Sequence, residues 1–339
     1  MPLRIFRLIL ALLAVAAGLH AEGSKIPPEY HAEGPVSGLI RAWGSSEMAG
    51  VMLCWQRGFT ERQREVRFDD HLYGTASSIA GIYTGVSDLS LLGREIWPIE
   101  SMAFESVFSY KPTGIEVATG SYDIPKATYA LVVFVNKANP LTKLNLEQVA
   151  AMFGVPRVAG AKAIRTWGEV GLTGEWSRSP IHTYNFEYDN DKAIFFRRRV
   201  FASRYAWRDE TREFSNTVRP AGGPVDSGEL ILQALAKDRF GIAVSNARYA
   251  NDQVKALALA DDGHEYVNAT KETVQNRSYP LTRSVYIYIN RSPDRRCDPR
   301  TLEFLRYVLS REGQNDVTVN GTYLALPGEI AAAQLKKLE

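Results

Sequence analysis

Ala130-Leu131-Val132-Val133-Phe134-Val135 is a run of apolar, mostly β-branched or aromatic residues with no polar break. Such a run suits a strand buried on both faces, which requires helices packed above and below its sheet. Downstream, Asn145 followed by Gln148 forms a capping-box pattern, and Leu146, Val149, Ala150 and Phe153 give the helix one apolar face. Upstream, Leu39-Ile40-Arg41-Ala42-Trp43 reads as a strand ending in Gly44-Ser45-Ser46. Met48, Val51, Met52 and Trp55 then recur at helical spacing. The unit repeats with Val66 and Phe68, a turn at Gly74-Thr75, and a helix whose apolar face is Ala76, Ile79, Ala80 and Tyr83. A third strand spans residues 88–92 and ends at Gly93-Arg94, and helices are expected over 191–200 and 229–236. Near the C-terminus, residues 284–290 alternate as a strand, and Asp298-Pro299 opens a helix carrying Leu302, Leu305, Val308 and Leu309. Strand, Gly/Ser/Thr turn and helix in succession predict an α/β fold with a mostly parallel sheet, which binds ligands outside its C-terminal strand ends. With no internal repeat and no low-complexity linker, two lobes joined by strands, with a hinged cleft, are expected.

The chain has 339 residues, 45% hydrophobic and 23% charged, which excludes disorder, collagen and coiled coil for the whole and accommodates two lobes. Forty Lys and Arg against 38 Asp and Glu give +2, too balanced for a protein that neutralises a nucleic-acid backbone. The basic stretch Arg197-Arg198-Arg199 is a small patch, and no nucleic-acid partner is expected. At the N-terminus, Arg4 and Arg7 precede an apolar run over 8–17, and Gly18-Leu19-His20-Ala21 offers small residues for cleavage. Residues 1–21 therefore read as a signal peptide cleaved near Ala21, and the protein as periplasmic or secreted. Only Cys54 and Cys297 are present, too few for a zinc or iron–sulfur site; in an oxidising compartment they are either a single disulfide or two buried thiols.

Several segments carry a resemblance to a known family. They are Leu131-Val132-Val133-Phe134-Val135-Asn136-Lys137-Ala138-Asn139-Pro140, Leu144-Asn145-Leu146-Glu147-Gln148-Val149, Ile164-Arg165-Thr166-Trp167-Gly168, Gly171-Leu172-Thr173-Gly174-Glu175-Trp176, Gly241-Ile242-Ala243, and Glu303-Phe304-Leu305 with Leu309-Ser310-Arg311-Glu312-Gly313-Gln314. Covering most of residues 38–327, they resemble the phosphate-type substrate-binding proteins of ABC transporters, with the type II periplasmic-binding fold. The resemblance implies an α/β, two-lobed protein with a ligand cleft between the lobes. One lobe is built from 34–121 plus 280–339 and the other from 122–279. It places Cys54 and Cys297 in the same lobe, which favours their pairing. It also implies capture of a small anion, phosphate or similar, for an ABC permease in the inner membrane, by a monomer without cofactor.

An oxyanion needs donors, and a helix N-terminus supplies free backbone N–H groups with the positive end of the helix dipole. Gly44-Ser45-Ser46 and Gly74-Thr75-Ala76-Ser77 place hydroxyls at such termini, and the resemblance makes Ser45, Ser46, Thr75 and Ser77 ligand residues; plain N-capping is the alternative. Asp88 and Arg94 fall where the family often sets a carboxylate or guanidinium beside the ligand, an Arg clamping an oxyanion and an Asp accepting the proton of hydrogen phosphate. The plain alternatives are a surface ion pair and a solvated turn. The fourth loop departs from the family. Members show an Arg, then Ser-Gly-Thr ahead of a Phe-Phe pair; here Phe186 stands at the Arg position and Asn190-Asp191-Lys192 at Ser-Gly-Thr, before Phe195-Phe196. Asn190 and Lys192 still offer a cap and a cation, but Glu187, Asp189 and Asp191 repel a dianion.

Enzyme motifs are absent: no H-E-x-x-H, Walker A, G-x-S-x-G or G-x-G-x-x-G occurs. His71 and His182 read as surface residues, and Asp69-Asp70 and Asp261-Asp262 as solvated turns rather than metal sites. The expected function is that of an exported solute-binding protein capturing phosphate or a related oxyanion. The alternative is a phosphate-binding-like protein that no longer captures phosphate and acts as an envelope sensor or protein partner.

Overall fold

The computed structural model describes residues 26–125, 127–294 and 297–339; the export segment lies outside them. Ten strands make two main sheets: β1 (Gly38–Gly44), β2 (Val66–His71), β3 (Leu89–Leu91), β4 (Thr113–Thr119), β5 (Val132–Asn136), β6 (His182–Phe186), β7 (Arg212–Phe214), β8 (Gly241–Ser245), β9 (Val254–Ala256) and β10 (Ser284–Ile289). The first sheet has the order β2-β1-β3-β10-β4 and the second β7-β6-β8-β5-β9. The helices used below are α1 (Ala49–Thr60), α2 (Ser78–Tyr83), α3 (Pro98–Phe108), α4 (Leu146–Phe153), α5 (Asp191–Phe196), α6 (Ser227–Leu235), α7 (Lys271–Gln275) and α8 (Pro299–Leu309). Each sheet carries its own apolar core, one around Trp55, Phe59, Ile115, Ile287 and Phe304, the other around Phe134, Phe153, Phe186 and Phe196.

The periodic segments fold as their patterns require. Met48, Val51, Met52 and Trp55 are all buried, and the Trp55 indole N–H donates to the Gly313 carbonyl, tying α1 to the C-terminal part of the chain. Asn145 and Gln148 close the capping box of α4 at 2.8 and 3.0 Å, and Asp298 accepts from the Arg300 N–H ahead of α8. Residues 132–135 of the apolar run lie in β5, every residue of which is buried, and Ala130 and Leu131 ahead of it are buried as well.

Several expectations need correction. The sheets are mixed: β1 runs parallel to β2 and β3, and β6 parallel to β7 and β8, but β10 lies antiparallel to β3 and β4, and β5 antiparallel to β8 and β9. A parallel neighbour needs a long crossover connection. β5 and β10 instead enter straight from the segments that cross between the sheets, and every residue of β5 is buried. The second helix begins with a 3-10 turn over Thr75–Ser77, which rotates its inward face to Ser78, Ile79 and Ile82 and leaves Ala76 exposed. Asp69 and Asp70 lie in β2, not in a turn. Cys54 and Cys297 are free thiols. Cys297 lines a groove with Phe108, Ser109, Tyr110, Asn290 and Asp298, whereas Cys54 lies part-exposed on α1, and the two sulfurs are not paired.

Where the chain returns to the first sheet, Arg283 is 1% exposed and joins both halves. It donates to Glu95, which follows β3, at 2.8 Å and to Asp191, the first residue of α5, at 2.9 Å. Arg198 donates across the same boundary to the Ile96 carbonyl at 2.8 Å. Burial opposes charge on Arg283, but Glu95 and Asp191 outweigh it and raise its pKa. Burial likewise works to raise the Asp191 carboxyl, yet Lys192 and Arg283 hold it well below the usual carboxylate range.

Removing one partner of a buried ion pair strands the others, at roughly 3–5 kcal/mol. Arg283→Met is therefore expected to lose stability of that order in urea unfolding at pH 7, and a variant as stable as the parent would contradict the account. A depressed carboxyl contributes above its unfolded pKa, about 3.9, and that contribution is lost as pH falls through its folded value. The gap between the two proteins should thus narrow on acidification below about pH 4.

Candidate functional site

The C-terminal ends of β1 and β3 converge on one point. Gly44 has φ +153°, and a Cβ there would stand 2.2 Å from the Leu91 carbonyl oxygen, so only glycine lets the strands approach. The next N–H, that of Ser45, donates to Leu91 at 2.8 Å, and the Gly74 N–H donates to the Gly44 carbonyl at 2.9 Å. Two helix-opening loops are thereby joined backbone to backbone at the rim of a cavity of about 500 Å³. Ser45 is buried and its hydroxyl caps the turn, accepting from the Glu47 N–H at 3.3 Å. Ser46 and Thr75 also line the cavity, and their hydroxyls have no partner among the described residues. Ser77 does not line it: its hydroxyl donates to the Gly74 carbonyl at 3.0 Å and closes the turn.

Arg94 reaches the cavity but is already held. It makes a bidentate pair with Glu100 of α3 at 2.7 and 3.0 Å and stacks 4.0 Å above the Trp97 ring. Glu100 in turn accepts from the Trp97 N–H at 2.8 Å, fixing the start of α3. Asp88 is not part of this wall. It precedes β3, where strand register sets it against β1, and takes the Arg41 backbone N–H and guanidinium at 2.8 Å each. Asp88 is thus one half of a part-exposed ion pair with Arg41.

The second lobe supplies the facing wall from the loop before α5 and the start of α6. Asn190 caps α5, accepting from the Lys192 N–H at 3.0 Å, and Lys192 bonds Asp191 at 2.8 Å. Phe186, at the position expected to hold Arg, is fully buried in the core, with the Lys192 ammonium 5.8 Å from its ring centre and 5.3 Å from that of Tyr129. Asp189 lies exposed on the same loop. Asp226 caps α6, accepting from the Gly228 N–H at 2.7 Å.

The structure thus brings Ser45, Ser46, Thr75, Arg94, Asn190 and Lys192 to one cavity and leaves Ser77 and Asp88 out of it. Trp97, Thr128, Asn216 and Asp226 line it unannounced. Only Asp226 had a legible signal, as an Asp-Ser-Gly cap before an apolar run. Glu47, Asp189, Asp191 and Asp226 face Arg94 and Lys192, both already ion-paired. The cavity is therefore polar, roomy and acidic overall, with unused hydroxyls gathered on the first lobe. Among the described residues, no group of three or more His, Cys, Asp or Glu is placed to hold a metal.

Residues 31–312 match the family model described as the PBP superfamily domain. The phosphate-binding protein PstS of Pseudomonas aeruginosa is 30% identical over 343 aligned positions, 99% of each chain. Two solved structures share the fold at lower identity. An ABC-type phosphate transport receptor from Vibrio cholerae is 18% identical, with TM-score 0.52, over 84% of this chain and 99% of that one. PstS from Borrelia burgdorferi is 15% identical, with TM-score 0.55, over 86% and 99%. Two mixed sheets with a cavity between them, and a match that runs the length of the chain, have one consequence: this chain belongs to the PBP superfamily, among the phosphate-type substrate-binding proteins of ABC transporters.

Proposed function

We propose that this is an exported solute-binding protein that captures phosphate or a related oxyanion between its lobes and delivers it to an ABC permease in the inner membrane. The lobes are residues 34–121 with 280–339, and 122–279, released by signal cleavage near Ala21 and working as a monomer without chemistry of their own. The observation that carries the reading is the first-lobe wall: Ser46 and Thr75 hydroxyls at two helix-opening turns locked together through Gly44. Such turns present backbone N–H groups and a positive dipole end to an anion. The full-length likeness to a relative named for phosphate binding points the same way. A second reading, a protein of this fold that no longer captures phosphate and serves as an envelope sensor or protein partner, draws on the fourth loop, where Phe186 is buried in the core and Asp189 faces the cavity.

Titration calorimetry with phosphate, and sulfate as control, separates the two. Micromolar or tighter binding selective for phosphate is expected; a folded protein with neither heat nor thermal stabilisation would give the second reading the lead. Thr75→Val should weaken phosphate at least about tenfold, the range for a hydrogen bond to a charged group.

A second variant probes the clamp on Arg94. Glu100→Gln keeps the acceptor for the Trp97 N–H but releases the guanidinium from its counter-charge. Phosphate should then bind more tightly, by about fivefold for a change on the order of 1 kcal/mol in a partly solvated site, and with steeper salt dependence. Unchanged affinity would place Arg94 outside the ligand's reach.

A further inference from the structure

Four side chains form one line of alternating charge through the boundary between the lobes. Glu95 accepts from one terminal nitrogen of Arg283, Nη2, at 2.8 Å, and Asp191 Oδ2 accepts from the other, Nη1, at 2.9 Å. The remaining Asp191 oxygen, Oδ1, receives the Lys192 ammonium at 2.8 Å. Of the four, Asp191 and Lys192 line the cavity; Glu95 lies beyond it, in an adjoining groove with Phe195 and Arg198, and Arg283 is 1% exposed. The first lobe contributes Glu95 and Arg283, the second Asp191 and Lys192. We propose that Glu95 and Arg283 are positioning residues for anion capture: where the lobes meet, Arg283 takes over the charge of Asp191, and Lys192 is thereby released to the phosphate. This deepens the anion reading above and rests on it.

Separated, the lobes would hold two neutral pairs, Glu95 with Arg283 and Asp191 with Lys192. An anion reaching for the Lys192 ammonium would then strand the Asp191 carboxylate, and an unpartnered buried charge is costly. Joined, the same carboxylate has a second cation on its other oxygen. Because each oxygen serves one cation, Lys192 can change partner without disturbing the bond to Arg283. Burial works against the charge on Asp191, but Lys192 and Arg283 keep it ionised, so it needs a cation at every stage. The ammonium is also held by something other than charge. It lies 5.3 Å from the ring centre of Tyr129 and 5.8 Å from that of Phe186, and aromatic faces attract a cation without neutralising it. Lys192 can therefore stay at the cavity wall when Asp191 turns to Arg283. Coupling of this kind is reciprocal, so whatever strengthens the hold of Arg283 on Asp191 strengthens the hold of Lys192 on the anion.

A residue that merely braced the boundary would weaken phosphate on its removal, and by the same factor with or without Lys192. The test is calorimetric titration with inorganic phosphate of the parent, Arg283→Gln, Glu95→Gln, Lys192→Gln and the two double variants that carry Lys192→Gln, each checked for folding by its melting curve. Lys192→Gln and Arg283→Gln are each expected to weaken phosphate about tenfold, the range for a hydrogen bond to a charged group. Adding Arg283→Gln to Lys192→Gln should then cost no more than about threefold further, the non-additivity of residues acting through one network. Glu95→Gln keeps an acceptor for Arg283 but leaves its charge to Asp191, so phosphate should bind about threefold more tightly, the scale of a part-exposed ion pair. That gain should vanish once Lys192 is replaced. If Arg283→Gln does not fold, the Glu95→Gln comparison with and without Lys192 decides alone. Additive losses at Arg283 and Lys192, or unchanged or weaker binding in Glu95→Gln, would overturn the inference and leave the anion reading standing. A parent that binds no phosphate removes both.

Discussion

The approach of Gly44 to Leu91 is the constraint on which the site depends. With no side chain at position 44, β1 and β3 close to a distance at which any Cβ would overlap the Leu91 carbonyl. The Ser45 N–H then bonds that carbonyl, and the Gly44 carbonyl becomes free to receive the Gly74 N–H. One tight backbone contact thus sets the position of two helix starts and of the strand end leading to Arg94. Strand ends in a packed sheet move little, so donors attached to them are pre-organised, and a ligand need not supply the energy to order them. The alternative uses of the same serines do not compete with this. Ser45 caps its turn, and in doing so leaves Ser46 unengaged.

Charge in the cavity follows a different logic from geometry. A cation buried without a partner is costly, so Arg94 and Lys192 are each met by a carboxylate from their own neighbourhood, Glu100 and Asp191. These pairs make the walls rigid but remove the net positive charge that a free dianion would seek. Buried Phe186 completes the effect, since the strand position that could have carried a guanidinium into the cleft instead fills the second-lobe core. What remains for an anion is hydrogen bonding from hydroxyls and backbone, which is directional and is strengthened by the charge of the ligand.

Much of the fold was legible because its long elements obey one period. The α1 stripe from Met48 to Trp55 and the unbroken run of β5 needed no tertiary information. The α2 face was not legible, because a 3-10 turn shifts the phase by a fraction of a turn and the segment is too short to reveal it. Asp88 was misplaced for a similar reason: its partner Arg41 is 47 positions away and meets it only through the register of β1 with β3. The cysteines stay unpaired, because a shared apolar core does not by itself set two side chains at bonding distance. In the site, local signals such as caps and turn glycines identified most of the lining loops, whereas Trp97 and Thr128 arrive from segments with no motif at all. The acidity of the fourth loop was visible in its letters, but the pairing that neutralises Arg94 and Lys192 was not.

Asp191 connects the site to the closure of the lobes. Its carboxylate serves Lys192 at 2.8 Å and Arg283 at 2.9 Å, one bond facing the cavity and the other crossing to the first lobe. A ligand oxyanion that drew Lys192 away would leave Asp191 to Arg283 alone, strengthening the crossing pair as the cavity fills.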